Sequence, residues 1–258
     1  MKTVYATMLI QLLVLLLVSD ISQAVIRDRS EYEKTGSVIW DIETDDKVVA
    51  LTFDDGPHRS NTPTLLNVLD EYGVQATFFV VGEDVKEHPD IVKRILFENH
   101  EIGNHTFTHD YNEHVSKTNL SQEIEQTDTL LMDMFGIKPL FFRPVGGYYN
   151  DDIIDVALEK EHKISLWSWH QDPRDWDNRS KKQIVSHVLS NIQPGDVILL
   201  HDGGGDRSET VEAVKEIIPT LHKQGYTFLT LSELTGHQPY TIEDYLSSSI
   251  EKERNKTP

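Results

Sequence analysis

The sequence predicts an α/β domain organised around a parallel sheet, and two observations carry that expectation. Between Lys47 and Leu229, short runs rich in β-branched and aromatic residues alternate with stretches of helical period, giving about seven strand–helix units. Residues that can carry chemistry, notably Asp54-Asp55 and His201, stand immediately after such apolar runs, at strand tips where α/β proteins place their sites. The pattern alone does not separate a closed barrel from an open sheet.

In chain order, residues 25–46 are mixed and charged, and read as a lead-in segment with a short strand over 37–40. Residues 48–53 form a buried strand, ended abruptly by Asp54-Asp55-Gly56-Pro57. Thr62 as N-cap, with Pro63 at the first helical position, opens a helix that Gly73 closes. A strand over 76–81 and a helix over 89–98 follow. Asn119 and Gln122 form a capping box ahead of the periodic Ile124, Leu130, Leu131 and Met134, and Gly136 terminates that helix. Next come a strand over 140–142, a helix from Asn150 and a strand over 164–169. Ser180 starts a helix with Ile184, Val188 and Ile192 on one face. A strand over 197–200, a helix over 209–223 stopped by Gly225, and a strand over 226–229 complete the pattern. Residues 236–258 are polar and charged, and read as a loose tail.

The N-terminus reads as a secretory signal over residues 1–24. Lys2 supplies the positive charge, residues 8–18 are apolar except for Gln11, and Ser22-Gln23-Ala24 is a small-x-small cleavage site. The apolar run is short for a membrane span, which makes an uncleaved anchor the lesser alternative. The expected location is therefore secreted or cell-surface. The chain has no cysteine, which excludes a disulfide framework, a lipoprotein anchor and a thiolate metal site. Its net charge of −19 repels nucleic acid and anionic polymers and suits neutral or cationic glycans, although it serves solubility equally well. No nucleic-acid partner is expected, and the chain is expected to act as a monomer.

Two segments define the chemistry. Thr52-Phe53-Asp54-Asp55-Gly56-Pro57 offers adjacent carboxylates, and Asn104-His105-Thr106-Phe107-Thr108-His109 offers two imidazoles. Neutral imidazole and carboxylate oxygen are the usual ligands of a hydrolytic divalent ion. Two His and one Asp fill three positions and leave one open for water, and the second Asp is then free to act as base; Asp55, His105 and His109 are the expected ligands. Each half alone is ordinary: adjacent acids are common in solvated turns, and HxxxH is common on polar surfaces. Asp54-Asp55 end a buried strand, and the histidines follow the short run Glu101-Ile102-Gly103-Asn104; this shared placement at strand tips selects the metal reading. Asn104-His105-Thr106 is also a formal glycosylation sequon, which a ligand role for His105 argues against.

These segments resemble the first two motifs of the polysaccharide deacetylases, the NodB-homology group or carbohydrate esterase family 4. Phe141-Phe142-Arg143-Pro144-Val145-Gly146-Gly147 resembles the family's RPPxG segment, with Val145 in place of the second proline. Asp172-Pro173-Arg174-Asp175-Trp176 resembles its DxxDW segment, and Leu199-Leu200-His201 its LxH segment. The resemblance implies a distorted (β/α)7 barrel, with residues 47–235 as the catalytic domain. It implies one divalent ion, zinc first and cobalt, nickel or manganese as alternatives. It further implies Asp54 as general base, His201 as the acid that protonates the leaving amine, and Arg143 as the group that orients Asp54. Asp172 would pair with His201, with Asp175 the alternative. Gly146 and Gly147 would admit close backbone approach, an amide there, that of Gly146, stabilising the oxyanion. Tyr148 and Trp176 would contact substrate, Trp167 and Trp169 would cluster at the same rim, and Leu199 would line the acetyl pocket. The expected activity is N-deacetylation of chitin oligosaccharides or peptidoglycan. O-acetyl ester hydrolysis, as on xylan, and a non-catalytic glycan-binding role are the alternatives.

Overall fold

The structure, a computed structural model, describes residues 28–110 and 115–237. The expected signal segment and the tail beyond His237 lie outside the described residues. The apolar run after Lys47 becomes the longest strand. In chain order the strands are β1 Val38–Ile39, β2 Val48–Gly56, β3 Thr77–Val80, β4 Glu101–Asn104, β5 Phe141–Phe142, β6 Lys163–Ser165, β7 Val197–His201 and β8 Thr227–Leu229. They line up as β1-β6-β5-β4-β3-β2-β7, each pairing parallel. β8 pairs with residues 48–50 of β2, and β7 takes over from Ala50 to Asp54. The two ends of the sheet meet where Asp41 bridges Asp196 and the amide of Ile42 donates to the carbonyl of Gly195. The sheet thus curls into the expected distorted barrel.

Helices follow most strands: α1 Arg29–Glu33, α2 Asn61–Tyr72, α3 Gly82–Glu87, α4 Pro89–Phe97, α5 Lys117–Phe135, α6 Asp151–Glu159, α7 Lys181–Asn191, α8 Ser208–Lys223 and α9 Leu231–Leu234. The sequence reading places the main helices but misses α1, α3 and α9, which are too short to show a period. Two starts differ from expectation. Helix α2 begins before Thr62, whose hydroxyl instead accepts the amide of His58. Helix α5 is capped by Ser116, which accepts from the amide of Asn119, so Asn119 is inside the helix rather than its cap. The strand expected over 164–169 stops at Ser165: the amide of Leu166 still bonds Ile39 of the neighbouring β1, but that of Ser168 crosses to Val197 of β7.

Period-2 alternation sorts β2 into two faces. Leu51 and Phe53 join Phe78, Val80, Ile198 and Leu200 in the layer packed under the helices. Ala50 faces the opposite way with Phe79, Phe141 and Val197, in a cluster closed by Leu231 and Leu234 of α9. Thr52 and Asp54 continue that inner face upward, so the polar site rests on an apolar plug.

Phe78 is 1% exposed and stacks on Phe53 at 5.2 Å between ring centroids. Phe78→Ala is expected to cost about 3–5 kcal/mol, the usual range for an emptied aromatic core position. Urea unfolding checks this: the midpoint should fall while the slope stays constant.

Candidate active site

Strict alternation would turn Asp55 away from the face that carries Asp54. The β2–β3 register shifts between Asp54 and Gly56, and Asp55 has φ 69°, in the left-handed region. This bulge re-aims one side chain, as bulges beside active sites do, and both carboxylates reach one cavity of about 530 Å³. The turn requires glycine on either side of it. A Cβ on Gly56 would lie 2.3 Å from the carboxylate of Asp202, and one on Gly203 would lie 1.7 Å from the carbonyl oxygen of Asp55.

His105 and His109 lie on the loop after β4, not on a helix. Nε2 of His109 is 2.8 Å from Oδ1 of Asp55, and Nε2 of His105 is 3.4 Å from the same oxygen. Nδ1 of His105 lies 2.7 Å from the carbonyl oxygen of Arg143 and donates to it, which leaves Nε2 as the lone-pair nitrogen facing Asp55. One ligand atom from each of the three residues lies within 4.8 Å of the others. A carboxylate and two imidazoles converging in this way, one with its tautomer fixed, fit a divalent ion. Burial acts to raise the pKa of Asp55, but the contacts from His105 and His109 hold it well below the usual carboxylate range. The sequon is spent: the side-chain amide of Asn104 is buried and donates to the carbonyl of Ile124 and to Asp128.

Two charged pairs flank this trio. Arg143 is fully buried, and its Nη1 donates to Oδ1 of Asp54 at 2.7 Å. Oδ2 of Asp54 faces the other way, 3.9 Å from Nε2 of His105. The second pair joins His201 to Asp175, with Nδ1 of His201 2.7 Å from Oδ1 of Asp175. Oδ2 of Asp175 accepts the backbone amide of His201 and the hydroxyl of Thr210. Burial alone would depress the imidazole, but the charge and hydrogen bond of Asp175 outweigh it, and the pKa of His201 is pushed up to about 9.

The expected pairing of His201 with Asp172 is therefore corrected to Asp175. Asp172 accepts the amide of Arg174 at 2.9 Å, so its carboxylate caps its own loop, although it still lines the cavity. Gly146, Tyr148, Trp176 and Leu199 line the cavity as expected. Gly147 does not: its amide donates to the carbonyl of Pro144, and its Cα faces the Trp167 indole, where a Cβ would come within 2.4 Å. Trp167 does line the cavity, whereas Trp169, 58% exposed, lies outside its lining. The sequence reading misses Gly204 and Arg207, which also line the site. Arg207 donates to the carbonyls of Gly203, Gly204 and Asp206, tying down the turn after His201. The glycine run between His201 and Arg207 was the available signal. Asp202 is missed too. Burial pushes its pKa up to about 7 against a hydrogen bond from Thr62, and the charges of Asp55 and Asp54 add to the rise.

A family profile described as "Polysaccharide deacetylase" matches residues 41–165. A Bacillus cereus protein named peptidoglycan-N-acetylglucosamine deacetylase is 48% identical over 210 residues, covering 81% of this chain and 98% of the relative. A Rhizobium leguminosarum chitooligosaccharide deacetylase is 35% identical over 201 residues, covering 74% of this chain and 93% of the relative. Among solved structures, a peptidoglycan N-acetylglucosamine deacetylase in complex with 4-naphthalen-1-yl-N-oxidanyl-benzamide superposes with a TM-score of 0.78. It is 36% identical, covering 83% of this chain and 99% of that one.

Proposed function

The chain belongs to the polysaccharide deacetylase family, and on that premise we propose that it is a metal-dependent hydrolase removing N-acetyl groups from glycans that contain N-acetylglucosamine. Chitin oligosaccharide and peptidoglycan are the two substrate classes that its relatives' names suggest. The observation that carries the reading is one cavity holding an Asp-His-His ligand set between two ion pairs, Asp54–Arg143 and His201–Asp175. We further propose that residues 47–235 act as the catalytic domain of a monomer. It would work outside the cell once residues 1–24 are removed.

Asp55, His105 and His109 would hold a divalent ion, zinc in the first instance and cobalt, nickel or manganese otherwise, which would supply Lewis-acid polarisation of the acetyl carbonyl and of the attacking water. Asp54 takes the proton from that water. Its Oδ1 is committed to Arg143, so Oδ2 is the basic atom. The tetrahedral oxyanion draws on the amide of Gly146, since that of Gly147 is already bonded to Pro144. His201 then donates from Nε2 to the departing amine, because Nδ1 is engaged with Asp175. Leu199, 3% exposed and on the cavity wall, closes around the acetyl methyl, and Tyr148 and Trp176 offer faces to the sugar rings.

Elemental analysis of metal-loaded protein should give about one ion per chain, as a site with three protein ligands implies. The double variant His105→Ala with His109→Ala should hold none and release no acetate from chitopentaose. An undiminished metal content in that variant would falsify the ligand assignment. Acetylxylan assayed alongside, with and without chelator, separates amide from ester preference.

Asp54→Asn should keep its ion yet lose about 10²–10⁴-fold in turnover, the usual cost of removing a general base. Wild-type turnover in this variant, with metal bound, would exclude Asp54 as the base.

An amine leaves poorly without a proton, whereas a phenolate leaves readily. His201→Ala should therefore damage chitooligosaccharide deacetylation far more than hydrolysis of an activated aryl acetate. In the wild type, deacetylation should decline as pH rises through about 9, where His201 loses its proton. In Asp175→Asn, burial is no longer offset, so the decline should begin at lower pH. Equal losses on both substrates, together with an unmoved alkaline limb, would remove His201 from the acid role.

A further inference from the structure

The loop that carries both histidines has an unfavourable shape. Thr106 has φ 71° and His109 φ 61°, and a β-branched residue in the left-handed region is an outlier that its surroundings must enforce. The enforcement comes from both sides. The amides of Gly82 and Glu83, at the start of α3, donate to the carbonyls of Thr106 and Phe107 at 3.0 Å each. Opposite them, a single oxygen of Glu123 on α5 accepts three bonds. These come from the amide of Phe107 at 2.9 Å, the amide of Thr108 at 2.7 Å and the hydroxyl of Thr108 at 3.0 Å. Five residues further along α5, Asp128 accepts from Asn104, whose own oxygen accepts the amide of Thr106.

From this geometry we infer that Glu123 is a positioning residue for the metal site: it holds the His105–His109 loop in its ligating shape before any ion arrives, and so sets metal affinity. The inference rests on the metal reading proposed above. Glu123 touches neither the ligand atoms nor the cavity lining. Among the described residues, its carboxylate bonds only the backbone and hydroxyl of the residues between the two histidines. Without it, Phe107 and Thr108 lose a charge-assisted acceptor, and the left-handed residues at either end of that stretch are free to relax. His109 then has to be re-ordered each time an ion binds, and that cost appears as weaker affinity.

The test is Co2+ affinity of the metal-free full chain, measured by competition with a chromophoric chelator and by the visible absorption of the bound Co2+. Glu123→Ala should bind about 10–100-fold more weakly than wild type, the usual range for loss of a residue that orients ligands. Deacetylase activity should recover when Co2+ is raised to saturation. Glu123→Gln, which keeps an acceptor oxygen but no charge, should show a smaller loss. Glu125→Ala, on the same helix but paired with Lys160 on the exposed face, should bind as wild type. A merely structural role would lower the thermal midpoint of the metal-free protein and leave Co2+ affinity unchanged, and that result in Glu123→Ala overturns the inference. If Glu123→Ala does not fold, wild-type affinity in Glu123→Gln overturns it. If the wild type itself fails to bind Co2+, the metal reading falls and takes this inference with it; if only the variants match wild type, this inference alone falls.

Discussion

A guanidinium enclosed in a barrel must have every donor answered, and Arg143 meets that condition. Its Nε reaches the carbonyl of Ser165, its Nη1 reaches Thr52 and Asp54, and its Nη2 reaches Ser165 and the carbonyl of Leu166. The ring of Phe79 lies 4.0 Å from its central carbon. Taking such an ion out of water costs several kcal/mol, which only good geometry and an opposed charge repay. The backbone of the same residue matters as much. Its amide donates to Asn104 and its carbonyl accepts from His105, so one residue ties Asp54 on β2 to His105 just after β4. The spacing between Asp54 and His105 follows from that double attachment.

Much of this was legible in the sequence because it is local. Strand ends after apolar runs, the acids at the tip of β2 and the paired histidines all follow from short-range patterns and turn residues. The bulge at Asp55 was not legible as geometry, although Asp-Gly-Pro marked a break in the strand. Its physical cause is remote in sequence: the turn fits only because Asp202 and Gly203 pack against Gly56 and Asp55 from the next strand tip. The helix starts also escaped the sequence reading. Ser116 and Asn119 are both competent caps, and it is the Ser116 side chain that accepts the amide of Asn119.

The acid pair shows where sequence reading stops. Asp172 and Asp175 stand three positions apart in one loop, and either could reach His201 on spacing alone. The backbone decides. Arg174 adopts φ 53°, and this turn lets Asp172 fold back onto the amide of Arg174 while Asp175 points inward. Asp175 is then locked by the backbone of His201 and by Thr210 on α8, a partner thirty-five positions further along the chain. No local signal announces that contact. Trp169 illustrates the same limit in reverse. Its proximity to Trp167 suggested a shared rim, but the chain turns at Ser168 and sends the two rings to different surfaces.

The proposed mechanism asks one cavity for opposite proton transfers, and the two ion pairs account for how it could supply both. Both contain an aspartate and a cationic partner, yet different members face the cavity. On one side the cation, Arg143, is buried behind the carboxylate, so the free oxygen of Asp54 is what the cavity meets. On the other side the carboxylate, Asp175, is buried behind the cation, so the cavity meets the free nitrogen of His201. Inverting the order of a pair converts an acceptor wall into a donor wall, which is how neighbouring titratable groups are driven into separate acid and base roles. Between the walls, Asp55 and the two imidazoles gather acceptor atoms at one point, and Arg207 braces the turn behind them by bonding carbonyls alone. Among the cationic side chains, His201 and Arg207 stand on the cavity wall, while Arg143 is buried behind Asp54. On the proposed reading, the point where Asp55 and the two imidazoles converge would take the divalent ion, and the acyl group would lie between the two walls.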